Sequence, residues 1–304
     1  MKQINDAFVT GTIMPEQGCF VLRKTKGGFI YAKKRVTQVF PWLIPFRKWQ
    51  RKKLFYLEMQ LDGNKYARKA SDSLLPNTVF ETSSLMLNEN SGFDMKYQIN
   101  KVHNLKLAAK AVNKVIIGPD ETFSFWQLVR RADQHEKYRD GLILVDGKIE
   151  GSYGGGLCQL SNMLFWLFLH TPLTVVERHG HAVESFPSTT EDLPCGTDAT
   201  ISEGWLDLKI RNDTDNTFQV VISFDDRYMY GQVLSQSPVN IDYSISNSSV
   251  SYINRNGRIY QIASVYRCER DKKTHRETGA ELYINKCEIG YELPDDVTIE
   301  ERGA

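Results

Sequence analysis

Gly154-Gly155-Gly156-Leu157-Cys158-Gln159-Leu160-Ser161 runs directly into Asn162-Met163-Leu164-Phe165-Trp166-Leu167-Phe168-Leu169, and the run stops at His170-Thr171-Pro172. From Gln159 to Leu169 the residues are apolar almost all round, the pattern of a helix buried on every side. Pro172 disfavours helix at the residue before it, so the helix ends there. Beyond it, strand and turn signals continue to the C-terminus. Thr174–Val176, Ala199–Ile201, Leu206–Ile210 and Phe218–Ile222 read as strands, with Asn212-Asp213-Thr214-Asp215-Asn216 as a turn cluster. Arg258–Tyr266 and Ala280–Ile289 read as a hairpin pair.

Upstream, Ile99, Val102, Leu105, Ala109 and Val112 recur at helical spacing. Lys65–Leu74 has no clear period. Gly141–Val145 reads as a strand, and Asp146-Gly147 as a hairpin turn into Lys148-Ile149. The fold class expected is α+β: a buried central helix packed on a largely antiparallel sheet. Three parts follow: a basic, aromatic N-terminal segment over 1–93, a core domain over 94–235, and a β-rich C-terminal extension over 236–304. There is no internal repeat.

The 304 residues are 41% hydrophobic and 25% charged, ordinary for a globular protein, and the formal net charge of +1 predicts no partner. No apolar run reaches the length of a membrane span, and Met1–Asp6 does not open a signal peptide. Five cysteines without a C-x-x-C point to a reducing compartment. The expected location is the cytoplasm, peripheral at the inner membrane face.

The membrane expectation comes from the charge distribution. Between Gln17 and Leu57 there is no Asp or Glu, while basic residues from Arg23 to Lys53 alternate with Phe29, Tyr31, Phe40, Trp42, Phe46, Trp49, Phe55 and Tyr56. Such a mixture suits an anionic membrane surface, where Trp sits at headgroup level. It also suits a solvated basic face whose aromatics pack inward. It carries no recognised nucleic-acid-binding motif.

The candidate chemistry centres on Cys158. A helix start lowers a thiol pKa, because unpaired N–H groups and the helix dipole favour the thiolate. Glu177-Arg178-His179-Gly180-His181 follows some twenty residues later. If this segment is a strand, His179 and His181 share one face and both point at the cysteine. His181 is the expected base. Asp198 or Asp207 would orient its imidazole, as third members of triads do. Gln159, through its N–H or its side chain, would help hold an oxyanion. Gly154, Gly155, Gly156, Gln159, Ser161, Arg178 and His179 are the candidate substrate-binding residues. No metal or cofactor is expected: His179, His181, Cys158 and Cys195 are too loosely spaced for zinc. The glycine turn also lacks the lysine and hydroxyl spacing of a phosphate loop. Cys19, Cys195, Cys268 and Cys287 read as structural, and Glu292–Glu301 as a solvated acidic tail.

Four ordered segments carry a family resemblance: Gly118–Phe125, Gly154–Ser161, Glu177–His181 and Gly196–Thr200. Together they resemble the VanW family, over roughly Asp94 to Phe224. Gly118-Pro119-Asp120 departs from a commoner Gly-Pro-Gly. The resemblance implies a link to glycopeptide resistance or cell-wall precursors, and no particular reaction. A second resemblance rests on order. Cysteine at a buried helix start, then His181-Ala182-Val183, then Trp205-Leu206-Asp207 is similar to the transglutaminase-like branch of papain-related enzymes. That order implies acyl transfer or amide hydrolysis through a thioester on a wall peptide. The alternative is a non-catalytic module that binds a peptidoglycan peptide or precursor at the membrane surface, with Cys158 only packing.

Overall fold

The computed structural model describes residues 19–25, 28–34, 40–87, 94–145, 148–184 and 193–301. The chain divides into two compact units, Met1–Asp62 and Gly63–Ala304.

In the first unit, strands Cys19–Thr25 and Gly28–Lys34 pair antiparallel, from Cys19↔Lys34 to Thr25↔Gly28. A single 3-10 turn, Pro41–Leu43, leads into helix α1, Ile44–Leu61. Pro41 and Pro45 sit in the first turns of these helices, where the missing N–H costs nothing.

The second unit mixes three helices with three sheets and a hairpin, and is α+β. One four-stranded sheet runs in the order Lys65–Tyr66, Glu121–Ser124, Lys209–Arg211, Thr174–Glu177. Another runs Asn77–Leu85, Tyr228–Ser235, Phe218–Phe224, Ile116–Ile117. The third is a five-stranded sheet built on the meander Ile241–Arg255, Arg258–Asp271, Glu277–Ile289. Most pairings are antiparallel. Short parallel contacts attach Val183–Glu184 to Glu288–Ile289 and Ile299–Glu301 to Tyr252–Asn254. The acidic tail therefore ends as an edge strand, with Asn254 donating to Glu301.

Helix α2, Met95–Val112, is capped by Asp94, whose carboxylate accepts from the Lys96 N–H at 2.8 Å. Its inner face carries Leu105, Ala108, Ala109 and Val112, all buried. Helix α3, Phe125–Val129, starts at Ser124, which accepts from the Gln127 N–H. Helix α4, Cys158–Leu169, is the core of the unit: Leu160, Leu164, Phe165, Leu167, Phe168 and Leu169 are fully buried. It packs on strands Asn77–Leu85 and Tyr228–Ser235. Gly231 permits the close approach, since a Cβ there would meet Leu167 and Met163. The helix ends as its sequence dictates: Thr171 Oγ1 donates to Phe168 C=O at 2.7 Å, and His170 Nδ1 bonds Trp166 C=O. His170 then stacks flat on Phe80, centroids 3.8 Å apart.

Strands Asp140–Val145 and Lys148–Tyr153 pair antiparallel as expected, while the Asp146-Gly147 turn between them lies outside the described residues. The boundaries drawn at 93/94 and 235/236 cut through joined structure. Strand Asn77–Leu85 pairs with Tyr228–Ser235, and Asn285 of the last sheet bonds Arg178. Ala199–Ile201 is not a strand. Side chains hold Ala199, with Ser161 Oγ donating to its C=O and Asn162 Oδ1 accepting from its N–H, while Thr200 N–H donates to His179 C=O and Arg178 Nε to the preceding Asp198 C=O.

Candidate active site

Three separate segments meet at the start of α4. Cys158 is the first helical residue and is half-buried. The turn before it, Gly154–Gly156, has φ of 72° at Gly154 and 95° at Gly156, which glycine adopts without strain. Gly155 is needed for a different reason: a Cβ on it would run into the backbone of Gly141 on the neighbouring strand. Asn104 locks the same contact, donating to Gly155 C=O at 3.0 Å and to Arg139 C=O at 2.9 Å. The triglycine turn is a backbone-to-backbone joint that fixes where α4 begins.

The second segment is Arg178–His181, which leaves the strand at Glu177 and is irregular. The two histidines therefore do not share a strand face. His179 Nε2 lies 3.1 Å from Glu177 Oε1, while His181 turns toward Cys158. The third segment is Gly196–Ile201. Its Asp198 binds His181 twice through Oδ2, accepting from the backbone N–H at 2.7 Å and from Nδ1 at 2.5 Å. Nδ1 thus carries a proton, and Nε2 is the ring nitrogen left for the cysteine. Thr200 Oγ1 lies 3.8 Å from Cys158 Sγ.

Electrostatics follow from this arrangement. Burial pushes the Cys158 thiol up, but the hydrogen bond and charge of His181 outweigh it, helped by the Ile201 N–H and the Thr200 hydroxyl. The thiol ends below its ordinary value. Burial would lower His181, yet its bonds to Asp198 and Cys158 raise it to about 10. Burial raises Asp198, while the His181 hydrogen bond and the Arg178 charge hold it below the usual carboxylate range. The arrangement favours the thiolate and imidazolium forms of the pair beside the Asp198 carboxylate.

Arg178 is the keystone of the carboxylate side. Its Nη2 bonds Asp198 Oδ1 and Gly196 C=O, both at 2.7 Å, and its Nη1 bonds Asn285 Oδ1 at 2.9 Å. Its plane lies over Tyr283, 4.7 Å from the ring centroid. With four of its five N–H groups engaged in holding Asp198, Gly196 and Asn285, Arg178 is a positioning residue. Gln159 is likewise committed. Its side chain donates to Ser84 Oγ and Leu85 C=O, and its N–H goes to Gly156 C=O, so neither reaches an oxyanion. Ser161 is buried and holds Ala199. Asp207 stands apart from His181. It accepts from Ser124 Oγ and the Trp126 and Leu208 N–H groups, and burial raises it to about 6. Asn162, Thr200, Tyr283 and Asn285 were not singled out in the sequence. Asn162 and Thr200 lie inside or beside the quoted motifs, whereas Tyr283 and Asn285 carry no local signal. Among the described residues, no three His, Cys, Asp or Glu side chains converge as metal ligands.

Residues 100–234, which hold every member of the cluster, match the family model described as "VanW like protein". The chain is 50% identical over 270 residues to the Enterococcus faecalis V583 protein named "Vancomycin B-type resistance protein VanW", covering 88% of this chain and 98% of that one. The chain belongs to the VanW family. It is also 36% identical over 113 residues to the Bacillus subtilis 168 "Uncharacterized protein YoaR", covering 37% of this chain and 36% of that relative. The VanW-family match ends at residue 234, so Tyr283 and Asn285, which brace Arg178, lie outside the segment that the family model covers. No solved structure matches the chain.

Proposed function

We propose that the protein is a cysteine-dependent acyl transferase or amidase, with Cys158 as nucleophile, His181 as general acid and base, and Asp198 as the group that orients the imidazole. The observation carrying this reading is the continuous line from Cys158 Sγ through the His181 ring to Asp198, with the thiol lowered and the imidazole raised. In the first half-reaction the thiolate attacks the carbonyl carbon and a tetrahedral oxyanion forms. As the C–N bond breaks, His181 gives its proton to the departing amine, leaving a thioester on Cys158. In the second, neutral His181 takes a proton from water or an acceptor amine as that nucleophile attacks the thioester, and the thiolate leaves. Cys158 opens α4, where the positive end of the helix dipole favours the developing negative charge.

The substrate class comes from the relative named for vancomycin resistance, which turns the reading toward a cell-wall peptide or precursor. A reduced thiol as nucleophile fits a cytoplasmic site. The order cysteine, histidine, aspartate is shared with transglutaminase-like enzymes, and the irregular histidine segment departs from their strand-borne histidine.

The test is site-resolved alkylation of Cys158 by iodoacetamide across pH. The expected midpoint lies well below the free-thiol value of about 8.5, and returns toward it in His181→Ala and Asp198→Asn. Slow labelling that is unchanged in both variants overturns the reading and leaves a packing thiol in a binding module. With reactivity established, intact-mass detection of an acyl adduct on a synthetic stem peptide, absent in Cys158→Ala, tests the chemistry itself.

A further inference from the structure

Helix α1 presents a side that the candidate active site does not use. Phe46, Trp49, Lys53 and Leu57 recur at i, i+3, i+7 and i+11, which places them in one row along the helix, with Leu61 a turn further on. Phe46 and Trp49 are each 57% exposed, Leu57 48% and Leu61 75%, and Trp42, in the turn before the helix, is 74% exposed. Phe46 and Trp49 stack on each other at 5.9 Å, and Lys53 Nζ stands 6.0 Å over the Trp49 ring. Phe55 and Met59, on the opposite side, are buried. A continuous row of solvated Trp, Phe and Leu side chains is rare on a surface that meets only water.

The charge on the same helix selects the partner. Lys53 lies within the row and exposed Arg47 at its flank, and α1 carries five cations against the single carboxylate of Glu58. A second copy laid on this face would bring together two helices of the same positive net charge. Nucleic acid would pair with the cations but leave Leu57 and Leu61 in water. An anionic bilayer satisfies both sets at once: phosphates meet Lys53 in the row and Arg47 at its flank, indole and phenyl rings sit at headgroup depth, and the leucines enter the acyl boundary. No helix among the described residues is long and apolar enough to cross a membrane, and α1 with its five cations would lie in the interface plane. We propose that α1 and the Pro41–Leu43 turn form a docking face for anionic lipid surfaces.

The experiment uses the full chain and large unilamellar vesicles of phosphatidylcholine with 30 mol% phosphatidylglycerol, against vesicles of phosphatidylcholine alone. Co-sedimentation is expected with the anionic vesicles. It should weaken at least tenfold in Trp42→Ser/Phe46→Ser/Trp49→Ser, in Arg47→Gln/Lys48→Gln/Lys53→Gln, and with phosphatidylcholine alone. The substituted side chains are exposed, so melting temperature and Cys158 alkylation serve as controls that the fold and the site are unchanged. No binding to anionic vesicles overturns the proposal, as does binding that neither variant weakens. Loss confined to the basic variant, with equal capture on polyuridylate or duplex DNA, overturns it in favour of a nucleic-acid surface. Self-association abolished by the aromatic variant, without vesicle binding, overturns it in favour of a second copy. The outcome is independent of whether Cys158 is a nucleophile.

Discussion

Two aspartates compete for the same role, and hydrogen bonding separates them. Asp198 faces both His181 and Arg178, whereas Asp207 caps the turn at Ser124–Trp126 from 0% exposure. Asp198→Asn should raise the Cys158 alkylation midpoint, and labelling at pH 7 should fall about tenfold for each unit gained. Asp207→Asn should lower the melting temperature and leave the midpoint where it is, and a moved midpoint would put Asp207 back in the relay. Arg178→Ala should act like Asp198→Asn, since it withdraws the charge and the bonds to the Asp198 carboxylate and backbone carbonyl, whereas Arg178→Lys restores the charge without the planar donor set. Cys158 and His181 were legible in the sequence because a cysteine at a glycine-led helix start is a local signal. The choice of aspartate was not, since it depends on which loop crosses over α4.

At the scale of elements, the joint between Gly155 and Gly141 fixes the first turn of α4. Gly155→Ala forces two backbones apart and should cost about 3 kcal/mol, read as a lower urea midpoint together with a raised Cys158 midpoint. A Gly154→Ala change meets only the Tyr138 ring and should act through its φ of 72° alone, with a smaller effect on the thiol. Helix α4 and the C-terminal strands were readable because their patterns are long and periodic. Ala199-Thr200-Ile201 misled for a physical reason. β-branched residues favour extended backbone, but the hydrogen-bond partners here are the Ser161 and Asn162 side chains and the His179 carbonyl, which no local pattern reveals. The histidine segment misled likewise: the double bond from His181 to Asp198 bends the chain away from the strand that ends at Glu177.

At the scale of the whole molecule, the α+β class followed from periodicity, while the sheet orders and the interlocking of residues 236–304 with the site depended on contacts between distant segments. The charge cluster also links stability to pH. His181 is raised in the folded state, so its contribution is complete below the unfolded value of about 6.5 and disappears as pH climbs through about 10. Asp198 is lowered, so its contribution is present above about 3.9 and disappears in acid. The stability gap between wild type and His181→Ala, measured by urea unfolding, should therefore close toward pH 10, and a gap that widens with pH would contradict the ion-pair geometry. The brace on Arg178 has one more consequence, for a chain that has been cut. Asn285 and Tyr283 lie far along the chain from Cys158, yet they hold the arginine that holds the aspartate that sets the imidazole. A chain ending at Arg276 should carry an ordinary thiol, with an alkylation midpoint near 8.5. The thiol thereby reports on a distant strand: a copy clipped before Glu277–Ile289 should label no faster than a free cysteine.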